Sequence, residues 1–166
     1  MRKKGEWVRD EFGNWTLLKG AKVNLFVNEN DLAETLKRAE TILDHPGKWT
    51  REVFARDAEG FEDSWQSDKA CSYCLTGAIM KAALDVSGHD PGNWDGDKNH
   101  WSDLRTAAEH AVIDAILDLE IAMAIGFESL EAFNDARGVQ YRDVAGALRE
   151  ARIAAEEAQA LAQEEA

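Results

Sequence analysis

The chain has 166 residues, room for one domain with a buried core, and its 45% hydrophobic content is that of a folded globular protein rather than a disordered one. A net charge of −13 excludes nucleic-acid binding through a broad basic footprint, because phosphates would be repelled; it favours a basic partner or simple solubility. No run approaches the roughly 18 apolar residues of a membrane span, and Met1–Lys4 leads directly into polar sequence, so a cytoplasmic protein with no membrane partner is expected.

In chain order, residues 1–29 read as a β arm. E-W-V-R-D and W-T-L-L flank Gly13-Asn14, a tight-turn pair, and K-V-N-L-F-V-N places Val23, Leu25 and Val27 on one face. This predicts a small antiparallel β-meander packed on a helical domain of residues 30–166, since so few strands do not stand alone. Asn30 or Asp31 can cap a first helix with Leu32, Leu36, Ala39 and Leu43 on its inner side, ended by His45-Pro46-Gly47. Trp49 to Asp63 is expected as a short helical or irregular connector.

Asp68 to about Val86 predicts a second helix, in which Gly77 beside Ala78 implies that another backbone passes close by. Ser87 to Trp101 reads as loop, and Ser102 can cap a third helix to about Ala124. Glu128 to about Asn134 is a short fourth helix, and Gln140 to the end a fifth. In the fifth, Val144, Leu148, Ala151, Ala155, Ala158 and Ala162 recur at helical spacing. Its alanine-rich end either frays or packs on a second copy, so homo-oligomerisation through this helix is one expectation. The fold class is mainly α, a bundle of about five helices with the N-terminal meander.

Catalytic apparatus is hard to find. Cys71-Ser72-Tyr73-Cys74 is a C-x-x-C, but it is placed inside a helix without the preceding strand of a redox pair. His89 and His100 do not complete a zinc-finger spacing with it, so Cys74 reads as a small core residue with Cys71 one turn before. Asp90, Asn93, Asp95 and Asp97 resemble calcium ligands, yet alignment to a calcium loop leaves Pro91 at its first position and Ser102 at its twelfth. His45, His89, His100 and His110 are scattered, and no nucleophile or phosphate-binding motif occurs. No metal and no cofactor are expected.

Two polar pairs stand out. Arg56-Asp57 and Asn134-Asp135 each follow an apolar anchor and can tie down turns; if they meet, Arg56 can fork to the carboxylate of Asp57 or Asp135. The cluster is then either a structural pin or the polar part of a small pocket, the latter admitting an enzyme or ligand-binding domain. Trp7 and Trp15 read as cover for the sheet, whereas Trp94 and Trp101 fit a core or an interface equally.

The ordered pieces Trp49, A-R-D-A-E-G (55–60), C-L-T-G-A-I (74–79) and F-N-D-A-R-G (133–138) resemble an uncharacterised family of small bacterial and phage helical proteins. Its members carry a Trp-Cys segment, A-x-D-x-x-G, C-x-x-G-A and a closing W-N-D-x-x-G-x-T-x-x-(D/E)-V. Ala55, Asp57, Gly60, Cys74, Gly77, Ala78, Asn134, Asp135, Gly138, Asp143 and Val144 match over about residues 31–152. Thr50, Phe133 and Tyr141 depart from it, against a shared metal site. The resemblance implies a helical fold and a frequent home in phages; it implies no reaction.

Charge completes the expectation. Residues 1–30 hold six Lys/Arg against four Asp/Glu, whereas residues 102–166 hold five Arg against fourteen Asp/Glu. With the phage-like resemblance, this predicts a non-enzymatic binding protein that inhibits a basic host protein, as a DNA mimic or in anti-CRISPR fashion, without touching nucleic acid itself. Asp114, Asp118, Glu150, Glu156 and Glu157 would present the charge. The rival is the small enzyme or ligand pocket around Arg56, Asp57, Asn134 and Asp135.

Overall fold

A computed structural model of the chain describes residues 6–9, 15–18, 27–88, 98–119 and 129–165. Among these residues stand five α-helices, a two-stranded hairpin and a separate three-stranded antiparallel sheet, so the fold is mainly α. Strands β1 (Glu6–Arg9) and β2 (Trp15–Leu18) pair antiparallel, Trp7 opposite Leu17. The Gly13-Asn14 turn and the third strand expected through Val23 and Leu25 lie outside the described residues, and Val27 belongs to no strand.

Helix α1 (Glu29–Ile42) begins earlier than expected, its cap lying two residues before Asn30 and three before Asp31. Asn28 is the cap, its Oδ1 accepting from the Asp31 amide at 2.8 Å, and Glu29 and Asp31 sit favourably at the positive end of the helix dipole. Leu36, Ala39 and Leu43 are fully buried, as their spacing requires. The chain leaves through a 3-10 turn, Pro46–Lys48, where His45 Nδ1 accepts from the Gly47 amide.

The connector is where sequence and structure part. Instead of an irregular linker and an early helix, residues 55–73 hold β3 (Ala55–Arg56), β4 (Glu62–Asp63) and β5 (Ser72–Tyr73), ordered β4-β3-β5. Each strand is two residues long, too short to show alternation. Consequently α2 (Leu75–Ser87) starts at Leu75, not Asp68. Its cap is Cys74, whose Sγ accepts from the Gly77 amide at 3.3 Å, and Gly88 ends it in the left-handed region at φ 66°.

Helix α3 (Lys98–Asp118) starts four residues before Ser102, so Trp101 is helical. Its ring lies parallel to that of Trp65 with centroids 6.0 Å apart, and its Nε1 donates to the Met80 carbonyl at 3.3 Å. Trp101 thus ties the loop before β5 to α2 and α3, the core role of the two weighed for it. The expected extension of α3 to Ala124 lies outside the described residues past Leu119.

Ser129 caps α4 (Leu130–Asp135), and α5 (Tyr141–Glu164) opens on Gln140, whose amide donates to Asp143 Oδ2 at 2.8 Å. Helices α1 and α5 lie antiparallel: Tyr141 Oη donates to the Leu43 carbonyl, Arg152 reaches Glu40, and Gln159 Nε2 donates to Asn30 Oδ1 at 2.6 Å. With α2 and α3 they enclose Leu36, Ile79, Leu104, Ile113, Ile116, Phe133 and Leu148, each fully buried and each contributing about 1.5–3 kcal/mol. The apolar stripe of α5 is buried only as far as Ala155; Ala158 is exposed.

Candidate functional site

Where α4 meets the three-stranded sheet and the start of α2, one side chain holds the junction. Asn134 is fully buried at the end of α4. Its Oδ1 accepts from Trp49 Nε1 at 2.7 Å and from the Leu75 amide at 3.0 Å. Its Nδ2 donates to the Thr50 carbonyl at 3.1 Å and to Asp135 Oδ1 at 2.9 Å. One amide group therefore joins the 3-10 exit, the first turn of α2 and α4, using both donors and both acceptor positions.

Arg56, on β3, lies in the same neighbourhood but not in the expected fork. Its Nε donates to Thr50 Oγ1 at 2.7 Å, its Nη1 to the Gly60 carbonyl at 3.1 Å and its Nη2 to the Arg51 carbonyl at 3.2 Å. All three acceptors are local chain oxygens, because the connector curls around the guanidinium. Arg51 in turn donates to the Val139 carbonyl and stands 4.8 Å over the Trp49 ring. Asp57 faces the β3–β4 turn, its Oδ1 accepting from the amides of Glu59 at 3.0 Å and Phe61 at 2.9 Å, with Gly60 left-handed at φ 88°. Asp135 Oδ1 accepts from the Glu52 amide at 2.9 Å. Thr50 links Arg56 to Asn134; Asp57 is occupied with its own turn.

Beside Asn134 opens a cleft of about 180 Å³, lined by Glu52, Val53, Phe54, Glu62, Cys74, Glu131, Asn134 and Asp135. Its floor is Cys74, buried, with the thiol pushed up to about 11 because burial penalises the thiolate. Its wall is fixed from behind: the Phe54 carbonyl accepts from the Cys74 amide at 3.0 Å, and a Cβ on Gly77 would stand 2.3 Å from that oxygen. The close backbone approach expected at Gly77 is that of Phe54. At the rim Glu52 adopts φ 71°, a left-handed conformation that costs a non-glycine residue about 1–3 kcal/mol and recurs at functional sites.

The cleft was not legible in the sequence. Glu52, Phe54, Glu62 and Glu131 carry no motif; a phenylalanine among glutamates, Phe54 being 43% exposed, was the only available signal. The C-x-x-C brings no shared site, for Cys71 is exposed on the strand side and Cys74 is buried. Among the described residues no group of His, Cys, Asp and Glu could hold a metal ion. His89, Trp94, Asp90, Asn93, Asp95 and Asp97 lie outside those residues, while His100 Nε2 stands 3.4 Å from Asp31 Oδ2. His110 is half-buried, its pKa lowered by desolvation. No described helix is long and apolar enough to cross a membrane.

The expected charged face falls on two helices packed against each other, α3 and α5. Asp118, Glu150 and Glu157 are exposed, Asp114 is partly buried, and Glu156 Oε2 accepts from Arg152 Nη1 at 2.9 Å. Glu164, one further turn pair along α5, is exposed as well.

In comparison with known proteins, the model of DUF6197, a family of unknown function, matches residues 27–154. No curated protein and no solved structure matches the chain.

Proposed function

The chain belongs to this family of unknown function, and from that premise we propose that it is a non-enzymatic acidic protein that binds a basic partner protein. The observation that carries the reading is a row of carboxylates on α5. Glu150, Glu157 and Glu164 are exposed and seven residues apart, which places them on one line about 10 Å apart. Several cations are meanwhile paired with acids of the same chain: Arg152 with Glu40 and Glu156, Arg105 with Glu109, and Lys81 with Asp85. The excess left to act on a partner is negative, in keeping with the net charge of −13.

The finer version of the proposal is a phage-borne inhibitor of a host nucleic-acid-binding or defence protein, acting as a DNA mimic or anti-CRISPR. Duplex DNA presents a charge about every 1.7 Å along its axis, far denser than the α5 row. The row alone therefore favours a basic protein surface in general over close duplex mimicry. The enzyme alternative has less support, because Arg56, Asp57 and Asn134 are engaged by the fold's own hydrogen bonds.

The test is a pull-down from bacterial lysate across a salt series, with the triple variant Glu150→Gln, Glu157→Gln, Glu164→Gln as comparison. The positions are exposed, so each substitution should change stability by no more than about 0.5 kcal/mol. The expected result is a basic, nucleic-acid-handling protein that is released as salt rises and is lost in the triple variant. Undiminished capture by the triple variant overturns the reading.

A further inference from the structure

The cleft beside Asn134 involves none of the α3 and α5 carboxylates, and its shape and lining carry an inference of their own. We infer that it is a receptor for one cationic side chain, a lysine or an arginine, of a partner polypeptide.

Size comes first. At about 180 Å³ the cleft is smaller than the roughly 300–1,000 Å³ that holds a drug-sized ligand, so it takes a single side chain rather than a nucleotide or a cofactor. Its lining matches a chain with an apolar stem and a charged tip. Val53 and Phe54 supply the apolar surface, the exposed Glu52 and Glu62 supply carboxylates, and no lysine, arginine or histidine contributes to the wall. Lysine and arginine are the side chains that bury an alkyl stem while keeping a charged head near solvent. Phe54 is also aromatic, the kind of side chain whose ring attracts a cation.

The receptor is also preformed. Phe54 is clamped through its carbonyl to the first turn of α2, and Glu52 is held in its left-handed conformation by the bond from its amide to Asp135. A site built in advance loses less conformational entropy on binding. Phe54 is 43% exposed, so apolar surface continues outward from the cleft, where the residues flanking the inserted side chain would lie. That continuation favours a polypeptide over a free amine as the source of the cation. The inference requires nothing of the α5 row; either reading stands if the other falls.

The experiment is an amide NMR titration of the full chain with three blocked amino acids, N-acetyl-lysinamide, N-acetyl-argininamide and uncharged N-acetyl-norleucinamide, and with 1,4-diaminobutane. The double variant Glu52→Gln, Glu62→Gln, at two exposed positions, is titrated alongside, and its unperturbed spectrum reports that the fold is intact. The lysine and arginine probes are expected to shift the amides of Glu52, Phe54, Glu62, Leu75 and Asp135 saturably. Norleucine should bind at least about tenfold more weakly, and the double variant should lose roughly tenfold for the cationic probes. Equal binding of norleucine, or unchanged affinity in the double variant, overturns the cation receptor. Tighter binding of diaminobutane than of the blocked amino acids overturns the assignment to a polypeptide side chain.

Discussion

Asn134 shows how much of this molecule turns on single polar groups. Replacing it by alanine would leave the Trp49 indole N–H and the Leu75 amide without an acceptor at a buried site. An orphaned buried donor costs about 1–3 kcal/mol, so Asn134→Ala should lower unfolding free energy by roughly 3–5 kcal/mol in a urea titration. A loss under about 1 kcal/mol would show that the junction is held elsewhere. The neighbouring cysteines differ as sharply. Cys71 is exposed and Cys74 is buried, so iodoacetamide at pH 8 should modify one thiol in the native protein and two after unfolding. Because the folded Cys74 pKa is raised from 9.0 to about 11, the folded state binds more protons above pH 9. Its contribution is complete below pH 9 and lost as pH rises through about 11. Cys74→Ser should flatten the fall in melting temperature over that window; an unchanged slope would assign the alkaline loss to another group.

At the scale of elements, the junction of β3 with α2 fixes the sheet to the bundle. Gly77 lies in the first turn of α2, where alanine would ordinarily raise helix stability by about 1 kcal/mol. Here the added Cβ meets a backbone oxygen that Cys74 holds in place. Gly77→Ala should therefore reverse sign and destabilise by roughly 2 kcal/mol, read as a lower denaturation midpoint with unchanged slope. A higher midpoint would mean that the sheet slides freely on α2. These elements also separate what the sequence made legible. Helices α1 and α4 could be read because conventional caps precede spaced apolar residues, as with Ser129 before Leu130 and Phe133, whereas α5, capped by Gln140, was legible through its apolar spacing alone. The start of α2 was misplaced because its cap is a thiol, outside the usual Ser, Thr, Asp and Asn set, and Ser102 drew the start of α3 inward. Strands β3 to β5 exist only through tertiary pairing, so no local pattern announced them. The same holds for the site. Arg56, Asp57, Asn134 and Asp135 were recognisable as turn-binding residues, and Gly77 as a position of close backbone approach. The cleft required knowing that the β3–β4 hairpin is folded up to α4.

For the whole molecule, the charge of −13 sets a repulsion that the internal ion pairs offset only locally. Screening lengths fall from about 30 Å at 0.01 M to about 8 Å at 0.15 M salt. The melting temperature should accordingly rise by a few degrees over that range of sodium chloride; a fall would show that pairs such as Arg152–Glu40 outweigh the repulsion.

The antiparallel contact of α1 with α5 carries a consequence in time. During synthesis the helix that covers one side of α1 is made about a hundred residues after α1 itself. At about 5–20 residues per second, that side of α1 waits roughly 5–20 s for its partner. Leu36, Ala39 and Leu43 depend in that interval on α2 and α3, so the nascent chain passes through a bundle with one face still open. Completion awaits α5, when Tyr141, Arg152 and Gln159 reach Leu43, Glu40 and Asn30 in turn.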